Sequence, residues 1–224
     1  SFADLIKGIL YAADLPHVDI INMSLGAYFP KNQVQGLLPA VNKAINYANS
    51  RGKLVVSSAG NGDEDGNGIN LDRDSNWVHL PSEAGAGIGI YATNFYDEVA
   101  SYSNYGRSGT WVGAPGGGAL PPEPLPGCLF NPATHGGMVG ACSQFSVFFG
   151  CAGGGFYLNG ASGTSFAAPT AAGVAALIDG LYGGQLNGGQ LKSGLAQTAD
   201  DLGSRGVDLY FSHGRVNAGN ASQN

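Results

Sequence analysis

One hydroxyl stands out in the last third of the chain: Ser165, within GASGTSFAAPTAAGVAALI from Gly160 to Ile178. Glycine and threonine precede it, and the smallest side chains follow. A run of Ala, Gly, Val and Leu over 161–181 predicts a helix that is apolar all round and therefore buried. Ser165 falls in its first turn. Pro169 is tolerated there, because early helix N–H groups lack intrahelical partners. Free N–H donors and the positive end of the helix dipole suit a developing oxyanion, so Ser165 is a candidate nucleophile. Helix physics alone leaves a second reading open, a serine that only caps a core helix. The other chemical candidate is Asn61 in SSAGNGD, where glycines on either side let an amide project into a cleft. A carboxamide N–H aimed at a reacting carbonyl is a standard oxyanion donor. An asparagine in a glycine turn without chemistry has the same local sequence.

These residues need elements to hold them. Phe2, Leu5, Ile6, Ile9, Leu10 and Ala13 have helical spacing, as do Leu38, Val41, Ala44, Ile45 and Ala48 within 37–49. VDIINMSL (18–25), LVVSS (54–58), 88–93 and 111–114 are short and largely apolar, like buried parallel strands. A further helix is expected over 186–198. Strand, helix and strand in alternation predict an α/β fold with a parallel sheet flanked by helices. Chemistry in such sheets collects at the carboxyl ends of strands. Ser24-Leu25-Gly26 and Ala59-Gly60-Asn61 stand at two such ends. Between about 116 and 155 the pattern dissolves into Pro, Gly and Cys, an irregular loop.

Composition narrows the classes. The chain has 224 residues, enough for one core, with 12% charged residues and 38 glycines that follow no repeat period. A net charge of −6 without a basic run argues against a nucleic-acid footprint. No apolar stretch approaches the roughly 20 residues of a membrane span, and no signal peptide is visible. The chain opens at Ser1, which predicts a processed chain or a fragment. Cys128, Cys142 and Cys151 all lie in the irregular loop and fit no zinc signature. One disulfide with a third thiol left over suits an oxidising compartment, and three buried thiols are the alternative.

INMSLG (21–26), SSAGNG (57–62), GAPG (113–116) and SGTSFAAP (162–169) resemble, in order and spacing, the subtilisin-like serine proteases. The resemblance covers nearly the whole chain and implies a subtilisin-like fold. It implies Ser165 as nucleophile, Asn61 as side-chain oxyanion donor and Thr164 as a support behind that donor. It also implies that Ser24, Leu25, Gly26 and Ser58, Ala59, Gly60 are walls of the pocket for the substrate side chain just before the scissile bond (P1). His79 falls at that pocket's floor, where a polar or acidic P1 side chain could meet it; a surface-loop histidine is the other reading. The substrate would be a peptide or protein, and the setting a secreted or cell-surface one.

The same resemblance exposes what is missing. The catalytic Asp and His of such enzymes lie upstream, in D-[ST]-G and H-G-T contexts that do not occur here. His17, His135 and His213 are poorly placed as bases: before a strand, in the Cys-rich loop, and in a C-terminal turn. The chain is therefore expected to be the C-terminal portion, 1–224, of one peptidase domain whose N-terminal part is absent from it. A companion N-terminal chain, separated during zymogen processing, would supply Asp and His. A catalytically inactive peptide-binding module is the rival reading. No cofactor is required. Calcium is a candidate structural ion, with Asp63, Glu64, Asp65, Asp72 and Asp74 offering oxygen ligands in a spacing that is not an EF-hand.

Overall fold

A computed structural model describes residues 1–118, 137–141 and 157–223. The elements run α1 (Phe2–Asp14), β1 (Ile20–Met23), β2 (Ala27–Pro30), α2 (Leu37–Ser50), β3 (Leu54–Ser58), β4 (Trp77–Leu80), β5 (Ile88–Thr93) and β6 (Val112–Pro115). They continue with β7 (Met138–Ala141), β8 (Tyr157–Ala161), α3 (Thr164–Leu181), α4 (Gly188–Thr198) and α5 (Ala218–Ala221). A parallel sheet in the order β1-β3-β5-β6 forms the middle layer. Every β3 and β5 residue is buried, which explains their continuous apolar runs.

Side-chain alternation along the strands divides the core in two. Leu54 and Val56 face α3 and α4, joining Ile88, Ile90, Val112, Ala171, Val174, Leu191 and Leu195. Val55 faces the other way, onto Ile9 and Ala13 of α1 and Val41, Ala44 and Ile45 of α2. The alanines of α3 bring its axis close to the sheet: Ala167, Ala168, Ala171 and Ala175 have no exposed surface. By length and composition this 18-residue helix could cross a membrane, but its alanine face is the core of the fold. Its outer side leaves Leu177 and Leu181 exposed at 38% and 51%.

The predicted strands and helices are present with shifted ends. The strand expected over 18–25 is the shorter β1, and the helix expected from 161 begins at Thr164. Gly163, at φ +153, makes the turn between β8 and α3 in a backbone region closed to other residues. Four strands escaped the periodicity: β7 and β8, an antiparallel pair of which β7 lies within the stretch expected as irregular loop, and β2 and β4. β2 and β4 pair antiparallel, Tyr28 opposite His79, beside the sheet's carboxyl edge. Each is four residues long, too short to show a period against its neighbours. Cys128, Cys142, Cys151 and His135 lie outside the described residues.

Candidate active site

β3 delivers its chain to the sheet edge at Ser58, and the turn Ala59-Gly60-Asn61-Gly62 follows. Gly60 and Gly62 have φ of +102 and +84, so glycine is required on both sides of Asn61. The Asn61 amide is held by one end. Its Oδ1 accepts from the Thr164 backbone N–H at 2.9 Å and from the Thr164 hydroxyl at 2.8 Å. Two donors on the oxygen fix the flip of the amide and leave the Nδ2 hydrogens to the open side. Thr164 is 1% exposed, and its hydroxyl also accepts from the Gly60 N–H at 3.2 Å. One buried threonine thus joins the start of α3 to the Asn61 turn.

Ser165 is the next residue, half-exposed in the first turn of α3. Its hydroxyl donates only a long bond, 3.4 Å, to the Ser24 carbonyl beyond the end of β1. Leu25, Gly26, Ser58, Gly60, Asn61, His79, Thr164 and Ser165 line one cleft of about 360 Å³, which Tyr28 and Gly62 complete. Ser24 stands at its edge through the carbonyl bond to Ser165. Ala59 is fully buried behind the wall, and Ser58 ties the two walls by donating to the Leu25 carbonyl at 3.3 Å. The segments expected to meet from sequence therefore converge on one concavity.

His79 is not a surface-loop residue. It lies on β4, 3% exposed, its ring 4.8 Å from that of Tyr28 and its Nδ1 2.8 Å from the Ser82 hydroxyl. Burial pulls its pKa down to about 4. Among the described residues no histidine hydrogen-bonds to Ser165. His17 is exposed in the turn after α1, and His213 packs half-buried on the Trp111 ring at 4.0 Å.

Sequence reasoning missed Asn104. It is wholly buried, and all four of its hydrogen-bonding positions are used. Nδ2 donates to the Ala59 carbonyl and the Tyr28 hydroxyl, both at 2.8 Å. Oδ1 accepts from Gly62 N–H at 3.2 Å and Ile69 N–H at 3.0 Å. The residue clamps both sides of the Asn61 turn, yet SYSNYG reads locally as any loop. Asn104→Ala would leave buried amides and a carbonyl unpaired, and is expected to cost about 3–5 kcal/mol of stability in urea unfolding.

The acidic loop uses its carboxylates locally. Asp63 accepts from the Asp65 and Asn67 amides, Asp74 from those of Asn76 and Trp77, and Asp72 from Ser108 and Arg107. Among the described residues, no group of three or more His, Cys, Asp or Glu is arranged to hold a metal ion. The expected calcium ligands therefore do not gather around a point in this loop.

A parallel α/β sheet with a helix-start serine and an adjacent anchored carboxamide at its carboxyl edge defines the class: a subtilisin-like serine peptidase fold. The chain belongs to the subtilase family, whose pattern matches residues 1–214. It is 30% identical over 221 residues to the thermophilic serine proteinase of Bacillus sp. strain AK1, covering 99% of this chain and 41% of that protein. It is 29% identical over 223 residues to thermitase of Thermoactinomyces vulgaris, covering 60% of it. Among solved structures, a lanthipeptide protease superposes with a TM-score of 0.81 at 28% identity, over the whole of this chain and 66% of the other. The epidermin leader peptide processing serine protease of Staphylococcus aureus, at 22% identity and a TM-score of 0.78, shares the fold. The chain thus spans about two fifths to two thirds of these relatives.

Proposed function

We propose that this chain is the C-terminal portion of a serine endopeptidase that cleaves peptide bonds through an acyl-enzyme on Ser165. The observation that carries the reading is the double anchoring of Asn61 Oδ1 by Thr164, which turns the Nδ2 donors toward the cleft that holds Ser165. The Ser165 oxygen attacks the scissile carbonyl, and its proton passes to a general base. The carbonyl oxygen takes the negative charge, and Asn61 Nδ2 with the Ser165 N–H stabilises it. Collapse expels the amine half of the substrate, which needs that proton returned, and water then releases the acyl half.

The base and its orienting carboxylate come, in this reading, from an N-terminal segment of the same protein. Two features favour such a segment. Among the described residues β1 pairs on one edge only, leaving its other row of backbone groups for a further strand. The outer side of α3 carries Leu177 and Leu181 and is not covered by any described element. The substrate is a peptide or protein, and the setting secreted or cell-surface. No metal or cofactor enters the steps as written.

The test is intact mass of every chain in the native preparation, before and after a fluorophosphonate probe. Labelling of this chain at Ser165, lost in Ser165→Ala, is the expected result. A folded protein that stays unlabelled would leave only the peptide-binding reading, since a serine without a base does not react at a useful rate.

A further inference from the structure

The floor of the cleft has a chemistry of its own. An ideal Cβ on Gly26 would lie 2.4 Å from His79 Nε2 and 2.5 Å from its Cε1. One on Gly60 would lie 2.7 Å from the Tyr28 hydroxyl and 3.0 Å from His79 Nε2. The imidazole therefore touches the backbone of both walls and the phenol that of Gly60, and together they fill the gap between the walls. A long or aromatic side chain entering between those walls would meet the two rings after a short distance.

The polar atoms at this depth are set by their neighbours. The Ser82 hydroxyl lies 2.8 Å from His79 Nδ1 and 3.3 Å from the His79 carbonyl, so its single proton can go to either, and the imidazole can present Nε2 as donor or as acceptor. Nε2 has no partner among the described residues, and His79 lines the cleft. The Tyr28 hydroxyl accepts from Asn104 Nδ2, so its own proton is free for a ligand. A ring nitrogen that can donate or accept and a phenol donor thus stand beneath the two glycine walls. Carboxylates stand nearby, with Lys31 also close enough to act on Glu83. Glu83 accepts from the His79 amide at 2.6 Å, and Asp63 and Glu64 line the adjoining pocket that Tyr28 and Gly62 share.

We infer that His79 and Tyr28 determine which peptides this cleft accepts: those with a short P1 side chain bearing a hydroxyl or carboxamide, namely serine, threonine or asparagine. A P1 hydroxyl, itself both donor and acceptor, pairs with His79 Nε2 in either tautomer while accepting from the Tyr28 hydroxyl, and a carboxamide does both with separate atoms. Valine matches threonine in shape but leaves both floor groups unpaired, a loss that discriminates strongly when the groups are buried. Phenylalanine is stopped by the rings. Aspartate and glutamate enter beside Glu83 and Asp63, where a further carboxylate is disfavoured by like charge. This is narrower than the polar or acidic preference expected from sequence, and it rests on the protease reading above.

The test uses the native, assembled protein and one peptide with Ser, Thr, Asn, Val, Phe or Asp at P1. The wild type is expected to cleave the Thr peptide on the order of tenfold faster (kcat/KM) than the Val peptide, and on the order of 10² faster than the Phe peptide. His79→Gly is expected to erase the Thr-over-Val ratio and raise cleavage after Phe. Tyr28→Phe keeps the ring and is expected to lower Thr relative to Val alone. Equal rates for Thr and Val in the wild type, or a wild-type preference for Phe, would overturn the inference. So would unchanged ratios in both variants. If nothing is cleaved and Ser165 does not label, the protease reading fails separately. Calorimetric binding of the same series as N-acetyl peptides ending at P1 then reads the same Thr-to-Val ratio without catalysis, with the same outcomes.

Discussion

On the protease function proposed above, Asn61→Ala is expected to lower kcat by roughly 10²–10³, with KM nearly unchanged. That magnitude is the one known for the corresponding donor of a subtilisin, equivalent to about 2.7–4 kcal/mol of transition-state stabilisation. The geometry here explains why the loss falls on kcat. Asn61 and Ser165 line the same cleft, and the Asn61 oxygen is occupied by Thr164 at 2.9 and 2.8 Å, which leaves Nδ2 as the free donor end. A donor so placed meets the carbonyl oxygen most strongly once that oxygen carries charge, so ground-state binding barely registers it. Thr164→Val is the informative companion. It keeps the backbone N–H bond to Asn61 Oδ1 but removes the hydroxyl bridge to Asn61 and Gly60. A loss of about tenfold in kcat is expected, corresponding to about 1.4 kcal/mol, because the amide is loosened and not deleted. Steady-state kinetics on one peptide, with unfolding curves to establish that both variants fold, decides the matter. A change confined to KM would remove Asn61 from the oxyanion site.

The second large effect concerns pH. Burial holds His79 neutral in the folded protein, with a pKa of about 4 against an ordinary 6.5. Between these values the unfolded chain binds a proton that the folded protein refuses. The contribution of His79 to stability is therefore complete above about pH 6.5 and is lost as pH falls toward 4. Between about pH 7.5 and about pH 4 the loss attributable to this residue is about 3 kcal/mol. Glu83 works in the opposite sense, since burial raises its pKa and its contribution weakens as pH rises. The measurement must therefore be a difference. Urea unfolding at both pH values is expected to show the wild type losing about 3 kcal/mol more than His79→Gln. Equal losses in the two proteins would mean that the imidazole is accessible to protons in the folded state.

Several parts of this molecule were legible in its sequence, for physical reasons that act locally. The apolar runs of β3 and β5 declare strands buried on both faces. The period of α1 and α2 declares helices buried on one side. Ser165 could be placed at a helix start because the glycine turn before it and the tolerated Pro169 are near neighbours in the chain. Asn61 could be placed in a turn because its flanking glycines are the only residues that relieve its backbone. Each of those inferences uses interactions within a few residues.

What remained hidden depends on contacts between distant segments. Asn104 reaches Ala59 and Gly62 across more than forty positions, and no pattern around SYSNYG announces four saturated hydrogen bonds. β2 and β4 stabilise each other only by pairing, so neither is legible alone. For His79, sequence left the choice between a loop and a pocket floor. The pairing of β2 with β4 sets it opposite Tyr28, under Gly26 and Gly60. Ser82, three residues on, holds Nδ1 at 2.8 Å and leaves Nε2 as the nitrogen beside Gly26 and Gly60. Chain-local preferences thus determined which residues carry hydroxyl and amide chemistry. Tertiary packing decided what stands behind them, because hydrogen-bond direction, burial and pocket depth are properties of segments brought together from opposite ends of the chain.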